Sequence, residues 1–287
     1  MPNKVTLREI FDDDLQDVYY FLSSNYDPEL KWDIWRSAFC RSWMPEKPNN
    51  GFMLVENQTI VGVLCALYSQ QQTKKGIRNV CHNSTWFVLD TYRSHSLKLM
   101  VALLGQKGFF FTAMSVNQEL YEIHRRFKFQ SKVTNLIAIP NLPKLNYFSK
   151  RLEILVDPES ISRSLDSHIK QISIDHTDIP TVQQIVFRTS NDTLLVIFDI
   201  RNVRGVPATN IFYLSNRDMF SQHRKEICSY FLLHNHTFFT RIHQCSMSKV
   251  PKFSLKIKHD VTFFYYGDIT ELSFPEFIYS EYIFFCR

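Results

Sequence analysis

Residues 79–129 read NVCHNSTWFVLDTYRSHSLKLMVALLGQKGFFFTAMSVNQELYEIHRRFKF, and the fold is decided there. Residues 83–89 are an aromatic and β-branched run, the composition of a largely covered strand. The polar residues 90–96 follow as a turn. Leu97, Met100, Val101 and Leu104 then recur at i, i+3, i+4 and i+7, the spacing of one helix face. Gly105 and Gly108 bracket the break of that helix. Residues 109–114 are continuously apolar, as a buried parallel strand is. Ser115 is suited to N-cap a second helix with Leu120, Ile123, His124 and Phe127 on its inner face. The order is strand, helix, strand, helix.

That order, with its turn, resembles the GNAT superfamily of N-acetyltransferases, whose fourth strand ends in a V-x-x-x-x-R/Q-x-x-G-x-G/A turn. Here the turn keeps Val88 and Arg93 and carries Ser96 and Lys98 where the glycines belong. The family's later pattern of an asparagine, a tyrosine seven residues on and then G-F corresponds to Asn117, His124, Lys128 and Phe129. The resemblance covers residues 4–140, about half the chain.

At 287 residues the chain has room for two modest domains or one elaborated one. Hydrophobic residues make up 45%, enough for a sizeable core. The net charge of +5 is spread without a Lys/Arg block of the nucleic-acid kind, which sets nucleic-acid binding aside. It suits an anionic ligand or a solvated surface equally. The six cysteines show neither C-x-x-C pairing nor a histidine at metal spacing, so reduced, buried thiols and no metal are expected. The N-terminus lacks a signal-peptide core, and no apolar run reaches membrane-spanning length. A soluble, cytoplasmic protein of bacterial type is expected.

In chain order, residues 5–10 read as a strand and Asp12 to Asp14 as the cap of a helix with Leu15, Val18, Tyr19 and Leu22 inside. A second helix spans 29–43, with Trp32, Trp35 and Trp43 in or beside it. Strands 51–56 and 60–68 are joined by a tight turn at Asn57 and Gln58. Residues 69–78 read as a loop and 131–139 as a further strand. Pro140 and Pro143 mark a boundary, giving domains 1–142 and 143–287. Beyond it, Ile154, Val156 and Ile172 are assigned to strands and 158–169 to a helix. Strands 193–200 and 209–214, helix 218–235 and strand 237–243 follow, and the aromatic tail is expected to add a closing strand. NIFYL at 210–214 echoes TWFVL at 85–89, and TFFT at 237–240 echoes FFFT at 109–112. The expectation is an α/β mixed-sheet, GNAT-like fold, tandem, with a degenerate C-terminal copy that binds no CoA.

The resemblance implies an acetyl-CoA or other acyl-CoA co-substrate and a small-molecule amine acceptor, with an amino sugar of surface-polysaccharide synthesis as one candidate. It implies a diphosphate cradle of backbone amides at Arg93, Ser94, His95, Ser96, Leu97 and Lys98. A helix start favours anions in this way, and small serines still let phosphate approach. It implies an amide at Val88 or Leu89 for the thioester oxygen and Asn117 for the pantetheine arm, where helix capping is the competing role. His124 occupies the position of the thiolate-protonating tyrosine and is either that acid or a satisfied core residue. Tyr121 is the fallback acid. For the base, His82, Asn83 and Glu56 are open alternatives. The rival reading is a catalytically silent GNAT-fold binding or scaffold protein, supported by the loss of both turn glycines.

Overall fold

The Asn57–Gln58 pair turns with both residues at positive φ (48° and 65°), the geometry that matches the twist of a two-residue hairpin. It joins β2 to β3 in a computed structural model that describes residues 4–41, 43–73, 76–115, 118–144, 152–267 and 277–285. Two compact units result. Unit 1 comprises Met1–Ser131, Phe263–Ser273 and Tyr279–Arg287, and unit 2 comprises Lys132–Thr262 and Phe274–Ile278.

Unit 1 runs β1 (Thr6–Glu9), a 3-10 turn (Asp12–Asp14), α1 (Leu15–Asn25), α2 (Trp32–Phe39), β2 (Gly51–Glu56), β3 (Thr59–Thr73), β4 (Gly76–Val88), a 3-10 turn (Asp90–His95), α3 (Ser96–Leu104), β5 (Phe110–Ser115) and α4 (Gln118–Arg126). β1 to β4 pair antiparallel in sequence order, and β4 pairs with β5 in parallel. At the first helix, Asp14 accepts the Phe11 amide at 2.9 Å, the capping role expected of the acidic cluster.

Two stretches of unit 1 depart from the expectation. The polar stretch 69–78 is strand as far as Thr73 and again from Gly76, with Ser69 opposite Val80 and Gln72 opposite Ile77; residues 74 and 75 lie outside the described set. Glutamine and asparagine side chains pair across this ribbon (Gln70 Nε2 to Asn79 Oδ1, 3.2 Å), so it needs no apolar alternation. In α3 the buried residues are Leu99, Met100 and Leu103, whereas Leu97 and Val101 face solvent at 48% and 60% exposure. A helix apolar nearly all round gives no unique phase.

Unit 2 runs β6 (Gln130–Pro140), which enters it from Lys132, then β7 (Glu153–Leu155), α5 (Pro158–Ser164), α6 (Ser167–Asp175), β8 (Gln183–Arg188), β9 (Thr193–Val203), β10 (Val206–Leu214), α7 (Arg217–Asn235), β11 (Phe239–His243) and β12 (Leu255–Tyr266), whose last residues, 263–266, belong to unit 1. Within unit 2 the strand order is β6-β11-β10-β9-β8-β7. Ile172 is helical, in α6, and Val156 lies past the end of β7. The single expected helix at 158–169 is two, because the Asp166 carboxylate caps the second by accepting the Ile169 amide at 2.9 Å. The described part of the tail is a 3-10 turn (Phe277–Tyr279) and a short helix, α8 (Tyr282–Phe285), rather than a strand. Of the cysteines, Cys65, Cys81 and Cys228 are buried, Cys245 is half-buried and Cys40 is exposed.

The echo between the halves extends to strand register. In unit 1 the parallel pairing runs from Val80 opposite Phe110 to Asn83 opposite Ala113, and β4 bulges against β3 immediately afterwards, between Asn83 and Trp86. In unit 2 it runs from Ala208 opposite Phe239 to Ile211 opposite Ile242, and β10 bulges against β9 between Ile211 and Tyr213. A bulge strengthens local twist and turns a strand away from its neighbour.

His243, buried at the end of β11, is pushed down to about 4 by burial and then by the Arg241 charge. The unfolded chain takes up that proton near the ordinary histidine value of about 6.5. Stability tied to His243 is therefore complete above that value and lost as the pH falls through 6.5 toward 4. We expect roughly 3 kcal/mol of acid sensitivity at most from this group. Urea unfolding at neutral pH and near pH ~4.5 checks it, with His243→Gln flattening the difference.

Candidate functional site

The site of interest in unit 1 is the fork between β4 and β5. Beyond Asn83 and Ala113 the two strands continue, to Val88 and Ser115, outside their paired register. On the β3 side, the Leu89 amide donates to the Val61 carbonyl at 3.0 Å. Opposed residues in an antiparallel pair alternate between hydrogen-bonded and non-bonded. Gly62 and Val88, the next pair, are therefore non-bonded, and the Val88 N–H and C=O point away from β3, toward the side β5 has left. The same alternation turns Trp86 outward. Gly62 permits the close approach, since a Cβ there would meet Val88 Cγ2 at 2.8 Å. Of the two amides expected to meet a thioester oxygen, Val88 faces the fork and Leu89 does not.

The fork is lined by unsatisfied polar atoms. Asn83 Oδ1 and Ser84 Oγ are buried without a hydrogen-bond partner among the described residues, a costly state that an incoming donor relieves. Asn83 uses its amide nitrogen on His124 Nε2, at 3.2 Å. His124 Nδ1 lies 2.7 Å from the Leu120 carbonyl. A carbonyl only accepts, so Nδ1 carries the proton and Nε2 accepts from Asn83. Burial holds His124 below the ordinary histidine range, against the Leu120 carbonyl, which raises it. Its ring stacks on Phe264 (4.7 Å between centroids) and meets Phe129 edge-on (5.0 Å). His124 is thus a neutral core residue with both nitrogens engaged. Tyr121 is half-buried with its ring edge-on to Phe264 at 5.4 Å, and its hydroxyl has no hydrogen-bond partner among the described residues. Asn117 is not among the described residues, and Ser115, expected to cap the following helix, is instead the last residue of β5, with α4 beginning at Gln118.

On the opposite face of β4, His82 is buried with Nδ1 hydrogen-bonded to Thr112 Oγ1 at 2.8 Å, and with Nε2 2.8 Å from Glu281 Oε2, a close contact whose geometry does not complete a hydrogen bond. Adjacent strand residues project to opposite faces, so His82 and Asn83 address the fork from two sides. Glu281 comes from the turn before α8 and is the more accessible partner, at 23% side-chain exposure against 2% for His82. Its charge bears on two neighbours, the buried Cys65 thiol and the Tyr26 phenol. Both are pushed up by burial first and by Glu281 after it, with Asp27 also acting on Tyr26. Of the expected base candidates His82, Asn83 and Glu56, His82 lies against a carboxylate the sequence did not single out, Glu281. Glu56 is occupied, accepting the Tyr92 hydroxyl at 2.6 Å.

The stretch expected to form the cradle, residues 93–98, is already engaged in local bonds. The amide of Ser96 already donates to the Arg93 carbonyl and that of Tyr92 to Leu89, so helical turns begin before Arg93. The amides without an intrahelical partner at such a start are the first ones, here Asp90 and Thr91 rather than 93–98. Asp90 is exposed and pairs with Arg93 (3.0 Å), while Ser94, Leu97 and Lys98 lie on the exposed surface and His95 and Ser96 are half-buried. Lys98 does not fill the fork. An aspartate at a helix start stabilises it and competes with any phosphate arriving there.

No family model matches the sequence, and no curated protein matches it either. Solved structures do match. A GCN5-related N-acetyltransferase from Anabaena variabilis aligns over 91% of this chain and 72% of its own, at 11% identity and a TM-score of 0.62. One from Kribbella flavida aligns over 91% and 71%, at 10% identity and 0.59. The N-myristoyltransferase of Saccharomyces cerevisiae, solved with bound myristoyl-CoA, aligns over 93% and 79%, at 10% identity and 0.56. The chain has the GNAT fold. Among the described residues no helix is long and apolar enough to cross a membrane, and no group of three or more His, Cys, Asp or Glu is placed to hold a metal.

Proposed function

We propose that the protein is an acyl-CoA-dependent N-acyltransferase whose reaction takes place at the β4–β5 fork. The observation that carries this is the fork itself, an interrupted parallel pair with the Val88 amide turned inward and the buried Asn83 Oδ1 and Ser84 Oγ awaiting partners. The pantetheine arm is an extended chain with two amides, and it would lie along β4 as a substitute strand and supply those partners. The diphosphate would meet the first amides of the 3-10 turn and the Arg93 side chain.

In the step proposed, the acceptor amine attacks the thioester carbon from the His82 face. A C–N bond forms and the C–S bond breaks. Glu281 takes the proton from the attacking nitrogen, held in place by His82. The departing thiolate is protonated from the other face, where Tyr121 is the free hydroxyl and His124 fixes Asn83 instead of donating. Base and acid on opposite faces of the sheet suit attack on a planar thioester lying in the gap.

The two units are read as tandem GNAT-like domains that depart from the 1–142 and 143–287 division by giving residues 132–142 to the second and 263–273 and 279–287 to the first. The second is degenerate for CoA, since Asn216 caps α7 by accepting the Met219 amide at 2.9 Å and leaves that helix start less open to phosphate. An amino sugar is a candidate acceptor by analogy with two-domain relatives of surface-polysaccharide pathways, and the cytoplasm is the compartment where acyl-CoA is met.

Acetyl-CoA and longer acyl-CoAs are the test ligands. At ~100 times its dissociation constant, a ligand that binds only the native state adds about 2.7 kcal/mol, read as a raised thermal midpoint. Asp90→Asn, which frees Arg93 and removes a competing charge, is expected to tighten binding by roughly fivefold, the upper end for one charge at a helix start. No shift with any acyl-CoA, in the wild type and in Asp90→Asn, would leave the silent binding-protein reading.

A further inference from the structure

Residues 244–259 of unit 2 contain no acidic residue, and four lysines, Lys249, Lys252, Lys256 and Lys258, lie among them. The net charge of the whole chain is +5, so this segment is a local concentration of positive charge. The lysines are separated by apolar residues instead of running together. Lys249, Lys252 and Lys256 are exposed and form no ion pair among the described residues. Between them stand Phe253, 88% exposed, and Leu255, 72% exposed. Phe253 is the most exposed of the large hydrophobic residues described.

The loop is built to hold these side chains out. Met247 and Pro251 are buried. Ser248 is tied to α7 through Ser221 Oγ at 2.8 Å. The Ser254 hydroxyl donates to the Pro251 carbonyl at 2.8 Å, closing a turn with Phe253 at its tip. Scattered exposed apolar residues are ordinary on a protein surface. An anchored turn that presents a phenylalanine and a leucine among three exposed lysines with no ion pair among the described residues is a different arrangement. It places apolar groups where they can enter an acyl boundary while the ammonium groups stay at headgroup level.

We propose that this loop docks unit 2 onto the surface of an anionic lipid bilayer, with Phe253 and Leu255 inserted shallowly and the lysines on the headgroups. The charge pattern selects this occupant, because each lysine near an anionic leaflet multiplies partitioning about fivefold. A neutral apolar groove on a protein partner would leave the lysines without a role. The inference does not depend on acyl transfer.

The experiment is co-sedimentation of the full chain with vesicles of phosphatidylcholine alone and of an equimolar phosphatidylcholine–phosphatidylglycerol mixture. Binding is expected only to the anionic vesicles and is expected to weaken as salt is raised. Phe253→Ala and Leu255→Ala should each lower it severalfold while leaving the thermal midpoint unchanged, because both side chains lie in water in the free protein. In Phe253→Trp, the added emission should shift to the blue on anionic vesicles and be quenched by brominated acyl chains. No binding to anionic vesicles overturns the proposal. So does binding with Phe253→Trp emission unshifted and unquenched, which would show adhesion by charge alone, or binding no stronger than to an acidic polypeptide of equal charge density.

Discussion

A fragment ending at residue 142 is expected to lack a cooperative melt and native amide dispersion, although it contains every element of the GNAT-like order read from the sequence. The residues it would lack are core residues of unit 1. Phe264 belongs to the same cluster as Leu64, Leu99 and Phe111. Tyr265 stacks on Phe110, and Trp43 meets Tyr279 and Phe284 at 5.3 and 5.8 Å. Phe263, Phe264, Tyr265, Ile283 and Phe284 are all buried. At about 1.5–3 kcal/mol for each side chain, their loss comes to roughly ten kcal/mol, comparable to the 5–15 kcal/mol by which a domain is stable. The cut also bares the β5 edge, an apolar strand prone to pairing with other chains. Co-expression with 143–287 should restore the cooperative transition. A cooperative melt of 1–142 alone would show that β12 is dispensable to unit 1.

That expectation exposes the part of the architecture the sequence could not disclose. β12 neighbours β5, and β6 neighbours β11, so each unit takes a strand from the other half of the sequence. Periodicity reports the face a residue occupies and says nothing about which strand lies alongside. The strand–helix–strand–helix order of 79–129 was legible because alternation and helical spacing are local. The phase of α3 was not, because Leu97, Leu99, Leu103 and Leu104 leave no polar face to orient it. The ribbon at 69–80 was hidden by its polar side chains. At the site, the resemblance left Val88 and Leu89 as alternatives, and only the register with Gly62 turns the Val88 amide away from β3. Leu89, the cradle at 93–98 and His124 were placed by analogy with the family turn, and each meets a local bond that the analogy does not contain: Val61 with Leu89, Arg93 with Ser96, and Asn83 with His124. Glu281 was beyond reach because it arrives from the far end of the chain, in a tail whose aromatic composition read as strand.

Glu281→Gln is expected to lower kcat by ~10²–10⁴-fold, the usual worth of general acid–base catalysis, with acyl-CoA affinity unchanged. Glutamine keeps the size of the side chain and an acceptor oxygen for His82 but cannot take a proton. The carboxylate is favoured over the imidazole as base because His82 is sealed at 2% exposure with both nitrogens in contact, to Thr112 and to Glu281, whereas Glu281 reaches solvent. His82 would then act by orienting Glu281. On that account His82→Gln should cost less than Glu281→Gln, and the double variant should cost little more than Glu281→Gln alone, since both act through one carboxylate. Single-turnover rates with saturating acyl-CoA separate this from a folding defect, because affinity is read in the same experiment. Loss of CoA binding in Glu281→Gln would mark the pair as structural. Equal, additive losses from the two single variants would give His82 a proton-transfer role of its own and remove the reason for assigning the base to Glu281.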